Sequence, residues 1–235
     1  MKKALWITTL LPLAAASVIV QFMPERVPVH YGVSGQADRY GSRYEMLIFP
    51  ALIAVINIFT WILRMYSFEK KAASAEDDTA RVQAQNNAKI SGWGGIATAV
   101  LLGAMMMVLM FRSAADAKAG VGNLELDSLK LTAILMGILM AVLGNIMPKT
   151  RRNDSVGLRI SWSLYNDNTW LKSNRYGGRA LVAAGVLTVF TALFVRGIAA
   201  TVMLLVYLTA AVAVSVDHAH KVYDEEKEKE KEKDL

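Results

Sequence analysis

Apolar residues gather in six blocks along this chain, and each block is about as long as a helix that crosses a bilayer. The blocks contain no Asp, Glu, Lys, Arg or His. One such block can be a buried helix of a soluble protein, but six of them indicate a polytopic membrane protein. We therefore predict an all-α integral membrane protein with six transmembrane helices. The predicted spans are residues 4–22, 46–63, 90–111, 131–147, 180–195 and 198–216.

Basic residues concentrate in alternate connections between these blocks. With a cytoplasmic N-terminus, 19 of the 26 Lys and Arg lie on the cytoplasmic side, together with all five Trp. Cytoplasmic connections carry such a basic excess, so both termini are predicted to be cytoplasmic in a bacterial plasma membrane. The net charge of +6 then reflects topology and does not indicate nucleic-acid binding. The first block is too long for a secretory signal, so we expect it to be a retained helix.

Composition limits the chemistry further. The chain has no Cys and only three His, which excludes disulfides and thiolate-bound metals and predicts neither a metal site nor a cofactor.

The polar segments divide the chain into four parts. These are a two-helix unit (1–66) with a structured outer loop (24–45), a cytoplasmic linker (67–89), a four-helix unit (90–216) and a charged cytoplasmic tail (217–235). Residues 112–128 are expected to be an outer loop without a motif.

The outer loop at 24–45 is rich in residues that shape the backbone. Its prolines favour extended conformations and its glycines permit tight turns. It is either a compact cover for the helix ends or a surface that meets a ligand. His30 and Asp38 are too few ligands for a metal site. The candidate ligand-facing residues are Pro24, Pro28, His30, Gly32, Gly35, Asp38 and Gly41. Their spacing resembles a small domain of unknown function that is often found in SdpI-type bacterial membrane proteins.

The longest polar interruption between two apolar blocks runs from residue 144 to residue 179. Pro148 stops a helix, and the basic residues after it lie where anionic headgroups lie. Residues 158–162 alternate in a way that suits an extended segment or an interfacial helix, and Asn166, Asp167 or Asn168 is suited to cap a short helix that starts near Thr169. The stretch is either an interfacial loop held by its aromatic residues or a docking surface for a cytoplasmic partner or anionic ligand.

This stretch also resembles the signature of the SdpI family. The matching residues are Gly144, Asn145, Pro148, Lys149, Arg151, Asn153, Gly157, Arg159, Trp162, Leu164, Asn168, Trp170, Arg175 and Gly178. All of them except Leu164 are our candidates for binding a cytoplasmic partner. The resemblance implies a six-span immunity protein that protects the cell against a secreted, membrane-active peptide toxin. It also implies signalling, because the family's namesake holds a small winged-helix repressor at the membrane. This chain departs from the family pattern at Asn174, where the family usually has His.

Two other functions fit the pattern less well. A small-solute transporter would not be proton-coupled, because no predicted span carries an ionisable residue. An enzyme would have to use Asp154, Asp167 and Arg159, which include no nucleophile–base pair, so we predict that the chain is not an enzyme. Lipid, a peptide toxin and a repressor are thus the expected partners. The sequence specifies neither the toxin, nor the existence of the repressor, nor the oligomeric state.

Overall fold

The computed structural model describes residues 1–32, 35–119, 127–153 and 157–233. Within these residues, six helical segments are long and apolar enough to cross a membrane, as the sequence predicts. They are Lys2–Phe22, Arg43–Ala73, Asp78–Lys118, Ser128–Lys149, Asp167–Phe194 and Ile198–Glu232. The expectation of an all-α chain needs one correction, because the connection between the first two spans folds as a β-hairpin.

The hairpin lies between the first two spans in the chain. Their elements are α1 (Lys2–Ile19), a 3₁₀ turn (Val20–Phe22), β1 (Arg26–Tyr31), β2 (Ala37–Ser42), a second 3₁₀ turn (Arg43–Leu47), α2 (Ile48–Asn57), a π-helical turn (Ile58–Ile62) and α3 (Leu63–Ala73). The strands are antiparallel, with Val27 opposite Gly41. Gly35 has φ +77°, a conformation that glycine adopts readily, where the chain turns towards β2.

The remaining elements are α4 (Asp78–Ala119), α5 (Ser128–Ile146), a 3₁₀ turn (Met147–Lys149), α6 (Asp167–Phe194) and α7 (Ile198–Lys233). These helices extend beyond the predicted spans. Most of the segment predicted as a linker, 67–89, belongs to α3 and α4. The first residues of the predicted loop 112–128 continue α4, and residues 120–126 lie outside the described residues. A helix needs apolar residues only where lipid surrounds it. The apolar blocks therefore predict the membrane-spanning part of each helix but not its polar ends.

Helix α4 is the element that both halves of the molecule share. The helices α1 and α3 pack against it from the N-terminal half, and α5 packs against it from the C-terminal half. The helices α5, α6 and α7 pack closely with one another. We call the end of the bundle that carries β1 and β2 the hairpin end. The opposite end is the motif end, and it carries the connection between α5 and α6, residues 148–166, which we call the motif segment.

Glycines set the distance between α5 and α6. A Cβ at Gly144 would lie 2.7 Å from the carbonyl oxygen of Gly178, and a Cβ at Gly137 would lie 2.8 Å from that of Gly185. Backbone therefore touches backbone at two levels of this helix pair, which is the close approach that small residues allow in membrane helices. Gly144 and Gly178, predicted as partner-binding residues, have a structural explanation in this packing.

Candidate functional site at the motif end of the bundle

Three amide side chains of α4 hold the first residues of the motif segment. Asn86 donates to the carbonyl oxygen of Lys149 at 2.7 Å, and Gln83 donates to that of Arg152 at 2.8 Å. The side-chain oxygen of Asn87 accepts from the backbone N–H of Arg151 at 3.2 Å. Sequence reasoning missed these amides, although their spacing places all three on one face of a helix. They join the two halves of the chain at the motif end.

Trp170 is the buried anchor of the same region. Only 2% of its surface is exposed, and its indole N–H donates to the carbonyl oxygen of Thr150 at 3.1 Å. The sequence placed this tryptophan in the membrane interface. The structure packs it beneath the motif segment, beside Thr150 and Gly157, so that the first turn of α6 supports residues that follow Pro148.

Asn174 holds the turn at Gly157. Its side-chain oxygen accepts from the backbone N–H of Leu158 at 2.7 Å, and its amide donates to the carbonyl oxygen of Trp170 at 3.1 Å. Gly157 has φ +119°, and a Cβ there would lie 2.4 Å from the Asn174 oxygen and 3.0 Å from the Trp170 ring. Glycine is therefore required at position 157 by both conformation and space. The residue that departs from the family pattern is a buried structural partner of this turn.

The start of α6 is set by local hydrogen bonds. Asn166 caps the helix in a capping box with Thr169, as the sequence suggested, but the helix is 28 residues long and continuous with the fifth span. Ser163 accepts from the N–H of Ile160 and donates to the carbonyl oxygens of Leu158 and Ile160, which closes a compact turn. Residues 158–162 are therefore neither an extended segment nor an interfacial helix.

A groove of about 1100 Å³ opens between the first turns of α4, the residues after Pro148 and the start of α6. Lys149, Arg151 and Arg175 line it and have no ion-pair partner among the described residues. Arg152 pairs with Asp167 at 2.9 Å across its rim. We call this the cation groove. Trp170 and Asn168, two further residues of the predicted motif, also line it.

Helix α7 packs its polar extension against the motif segment and the start of α6, where the sequence predicted a charged tail. The rings of Trp162 and His220 lie 4.4 Å apart, and those of Tyr176 and His218 stack at 4.0 Å. Glu226 accepts from Lys172 at 3.1 Å. The hydroxyl of Tyr165 donates to Glu230, and this hydrogen bond raises the pKa of Tyr165.

The remaining predicted residues of the motif take different positions. Asn145 is exposed on α5, outside the bundle, and Pro148 lies in the 3₁₀ turn that follows this helix. Asn153 donates to the carbonyl oxygen of Arg151 at 2.6 Å, and Arg159 is exposed. The motif residues thus divide among helix packing, a buried turn and the cation groove.

At the hairpin end, the predicted residues divide into an inward and an outward set. Pro28 is buried, and its carbonyl oxygen accepts from Ser113 of α4 at 2.7 Å. His30 and Asp38 are exposed and hydrogen-bonded to each other at 2.6 Å.

The predicted glycines have structural positions in the hairpin. The N–H of Gly32 bonds to the carbonyl oxygen of Gln36, and a Cβ at Gly41 would clash with the Glu45 carboxylate. Pro24 follows the first 3₁₀ turn, before β1.

A buried ion pair joins the hairpin to α4, and sequence reasoning missed it because residue 112 was placed in a loop. Arg112 is 8% exposed and Asp116 is 3% exposed, with Nε and Oδ2 3.4 Å apart. Arg112 also donates to the carbonyl oxygen of Gly35 and to Ser128. Tyr31 donates to Asp116 at 3.0 Å, and burial, followed by the charge of Asp116, raises the pKa of Tyr31. The cluster fixes the hairpin on the end of α4.

The described residues contain no group of three or more His, Asp or Glu side chains placed to hold a metal ion. Of the acidic residues considered for catalysis, Asp167 is paired with Arg152, and Asp154 lies outside the described residues.

Comparisons with known proteins relate both ends to described families. Residues 149–216 match the model of the SdpI/YfhL protein family, and residues 7–54 match a domain of unknown function, DUF1648. Over 195 residues, 83% of each chain, the protein is 22% identical to "Immunity protein SdpI" of Bacillus subtilis. It is 41% identical over 46 residues to an uncharacterized protein of Archaeoglobus fulgidus, which covers 20% of this chain and 25% of that one. No solved structure matches the chain.

The two matched segments correspond to structural units. The DUF1648 match holds most of α1, the hairpin and the first turns of α2. The SdpI/YfhL match holds the motif segment from Lys149 onward, α6 and the apolar part of α7. The six helices agree with a multi-pass membrane protein. The resemblance to the SdpI family is therefore confirmed, and the chain combines a DUF1648 segment with an SdpI/YfhL segment in one membrane protein.

Proposed function

We propose that this chain is a membrane immunity protein that protects its cell against a membrane-active peptide toxin. The observation that carries the proposal is the similarity to the immunity protein of Bacillus subtilis, which extends over 83% of both chains. The role is binding, not catalysis.

In the proposed orientation, the hairpin end faces outward and the motif end, with both termini, faces the cytoplasm. The basic excess of the motif-end connections supports this orientation. The exposed face of the hairpin, with His30 and Asp38, is then the surface that meets the peptide.

Signalling is the finer part of the proposal. Helix α4 is bonded to the hairpin through Arg112, Ser113 and Asp116, and to the motif segment through its three amides. A displacement of the hairpin by a bound peptide would therefore be carried to the cation groove. The groove offers unpaired positive charge to an acidic surface of a cytoplasmic partner, such as a small winged-helix repressor.

The immunity proposal is tested by expression in a bacterium that is sensitive to membrane-active peptides. We expect survival at peptide concentrations that kill cells carrying the empty vector. Western blotting of the membrane fraction controls for expression. Equal killing curves with and without the protein, across a panel of related peptide toxins, would contradict the proposal.

The neighbouring genes offer a second test. A neighbouring reading frame for a short winged-helix protein would support signalling, and one for a secreted peptide would support immunity.

A further inference from the structure

A second cavity lies on the outside of the bundle, between α5 and α6. It is a furrow of about 540 Å³, and its lining is almost entirely apolar. Its lining includes Gly144, Gly178, Arg179, Val182, Ala183 and Val186. Ala183, Val186 and Leu187 are exposed, so nothing in the described part of the chain covers the furrow. We call it the α5–α6 furrow.

The furrow exists because Gly144 and Gly178 carry no side chains. Their backbones touch, which brings the two helices together and leaves a shallow channel beside the contact. The side chains of Val182 and Val186 form one wall on α6. From Arg179 to Leu187 the furrow follows α6 over about 12 Å, at 1.5 Å per residue. It therefore runs along the helix axis, which is also the direction of lipid chains around a spanning helix.

One charged residue stands at the motif end of this furrow. Arg179 is exposed, has no ion-pair partner among the described residues, and directly precedes the apolar block that begins at Ala180. It therefore lies at the boundary between hydrocarbon and headgroups, whichever way the protein faces. Arg175, one turn earlier on α6, adds a second unpaired positive charge on the polar side of this boundary.

We propose that the α5–α6 furrow binds one phospholipid, with an acyl chain along the apolar wall and the phosphate on Arg179. A free phosphate would satisfy Arg179 but would leave the apolar wall uncovered. A hydrocarbon chain alone would cover the wall but would leave the guanidinium unpaired. A phospholipid meets both requirements, and one with a net negative charge meets them best because both nearby cations are unpaired. This inference goes beyond the proposed immunity function and does not depend on it.

The experiment is native mass spectrometry of the full chain, released from detergent micelles after incubation with lipid. The probes are phosphatidylglycerol, phosphatidylcholine and glycerol phosphate, which is the headgroup without chains. Arg179→Gln removes the charge, and Ala183→Phe fills the furrow from its exposed side. Lys3→Gln, at the same end of the bundle, controls for the loss of one positive charge. Val202→Phe, at an exposed position of α7, controls for an added ring.

We expect one molecule of phosphatidylglycerol per chain, retained about fivefold more strongly than phosphatidylcholine, which corresponds to the contribution of about 1 kcal/mol from one basic group, Arg179. Arg179→Gln should abolish this preference, Ala183→Phe should reduce retention of both lipids, and the two control variants should behave like the wild type. Equal retention of phosphatidylglycerol by Arg179→Gln would overturn the proposal. So would displacement of the lipid by equimolar glycerol phosphate, or unsaturable binding without preference, as expected for a bulk lipid shell.

Discussion

Asn174 is the residue whose removal should matter most for the motif segment. It is 1% exposed, and its side-chain oxygen accepts from the backbone N–H of the half-buried Leu158. A buried donor left without a partner costs about 1–3 kcal/mol. Asn174→Ala should therefore lower the thermal unfolding temperature in detergent, by about 2–4 °C for each kcal/mol lost.

Asn145→Ala is the matched control for this substitution, because Asn145 is exposed on α5. Its effect should stay within about 0.5 kcal/mol, as for most surface substitutions. If Asn174→Ala unfolded at the same temperature as Asn145→Ala, the two hydrogen bonds of Asn174 would not hold the turn.

The sequence could predict the roles of residues that depend only on their neighbours in the chain. Pro148 ends α5 and Asn166 caps α6, because proline geometry and capping depend on a few neighbouring residues. The burial of Trp170 and the pairing of Arg112 with Asp116 depend on elements that are distant in the chain. Nothing adjacent to Arg112 indicates that the carbonyl oxygen of Gly35 will lie beside it.

At the scale of elements, the contact between α5 and α6 predicts opposite effects of alanine substitution at two adjacent glycines, Gly177 and Gly178. A Cβ at Gly178 would lie 2.5 Å from the carbonyl oxygen of Gly144, so Gly178→Ala must push the helices apart. Overpacking of this kind costs about 1–3 kcal/mol. At Gly177 the nearest atom would be the Ser215 oxygen at 3.3 Å, and alanine is favoured over glycine in a helix by up to about 1 kcal/mol.

Thermal unfolding in detergent should therefore separate the two variants, with Gly178→Ala less stable than the wild type and Gly177→Ala equal to it or more stable. Equal losses at both positions would show that helix flexibility, and not the contact between backbones, explains these glycines.

The attachment of the motif segment to α4 can be tested with a protease. Gln83→Ala, Asn86→Ala and Asn87→Ala together remove the three hydrogen bonds to residues 149–152. Since local opening governs proteolysis, trypsin should then cleave near Arg151 several-fold faster in the triple variant. Gln85→Ala changes an exposed amide of the same helix and should leave the rate unchanged. An unchanged rate in the triple variant would mean that other contacts hold the segment.

The apolar pattern predicted every span but not the helix ends. Helix α4 has 42 residues, of which the predicted span covers only the middle, and α7 continues through a run of alternating Glu and Lys. Polar helix ends do not differ from linkers in hydropathy. The contacts that organise them, such as Trp162 with His220, join segments whose proximity only the folded chain reveals.

At the scale of the whole molecule, the absence of cysteine makes the orientation directly measurable. His30→Cys at the hairpin end and Glu228→Cys on α7 each introduce a single exposed thiol. In the proposed orientation, a membrane-impermeant maleimide should label His30→Cys in intact cells but label Glu228→Cys only after lysis. The reverse pattern would invert the proposed topology, and with it the assignment of the hairpin as the surface that meets a toxin.

The length of α4 allows the two proposed activities to be separated. At 1.5 Å per residue, Ser113 lies about 45 Å from Gln83, so a peptide that stays on the hairpin side of the membrane contacts the hairpin but not the cation groove. His30→Ala with Asp38→Ala changes only an exposed pair and should lower the protective effect in the killing assay, on the order of tenfold if the pair is a binding hot spot.

Arg151→Gln with Arg175→Gln removes charge from the cation groove and should leave protection intact while abolishing recruitment of an acidic partner to the membrane fraction. Lys227→Gln, an exposed charge of α7, is the control for both assays. If the groove variant lost protection to the same degree as the hairpin variant, protection and signalling would depend on one surface. Protection would then require an intact cation groove as well as an intact hairpin, and the coupling through α4 would belong to protection itself and not to a separate signal.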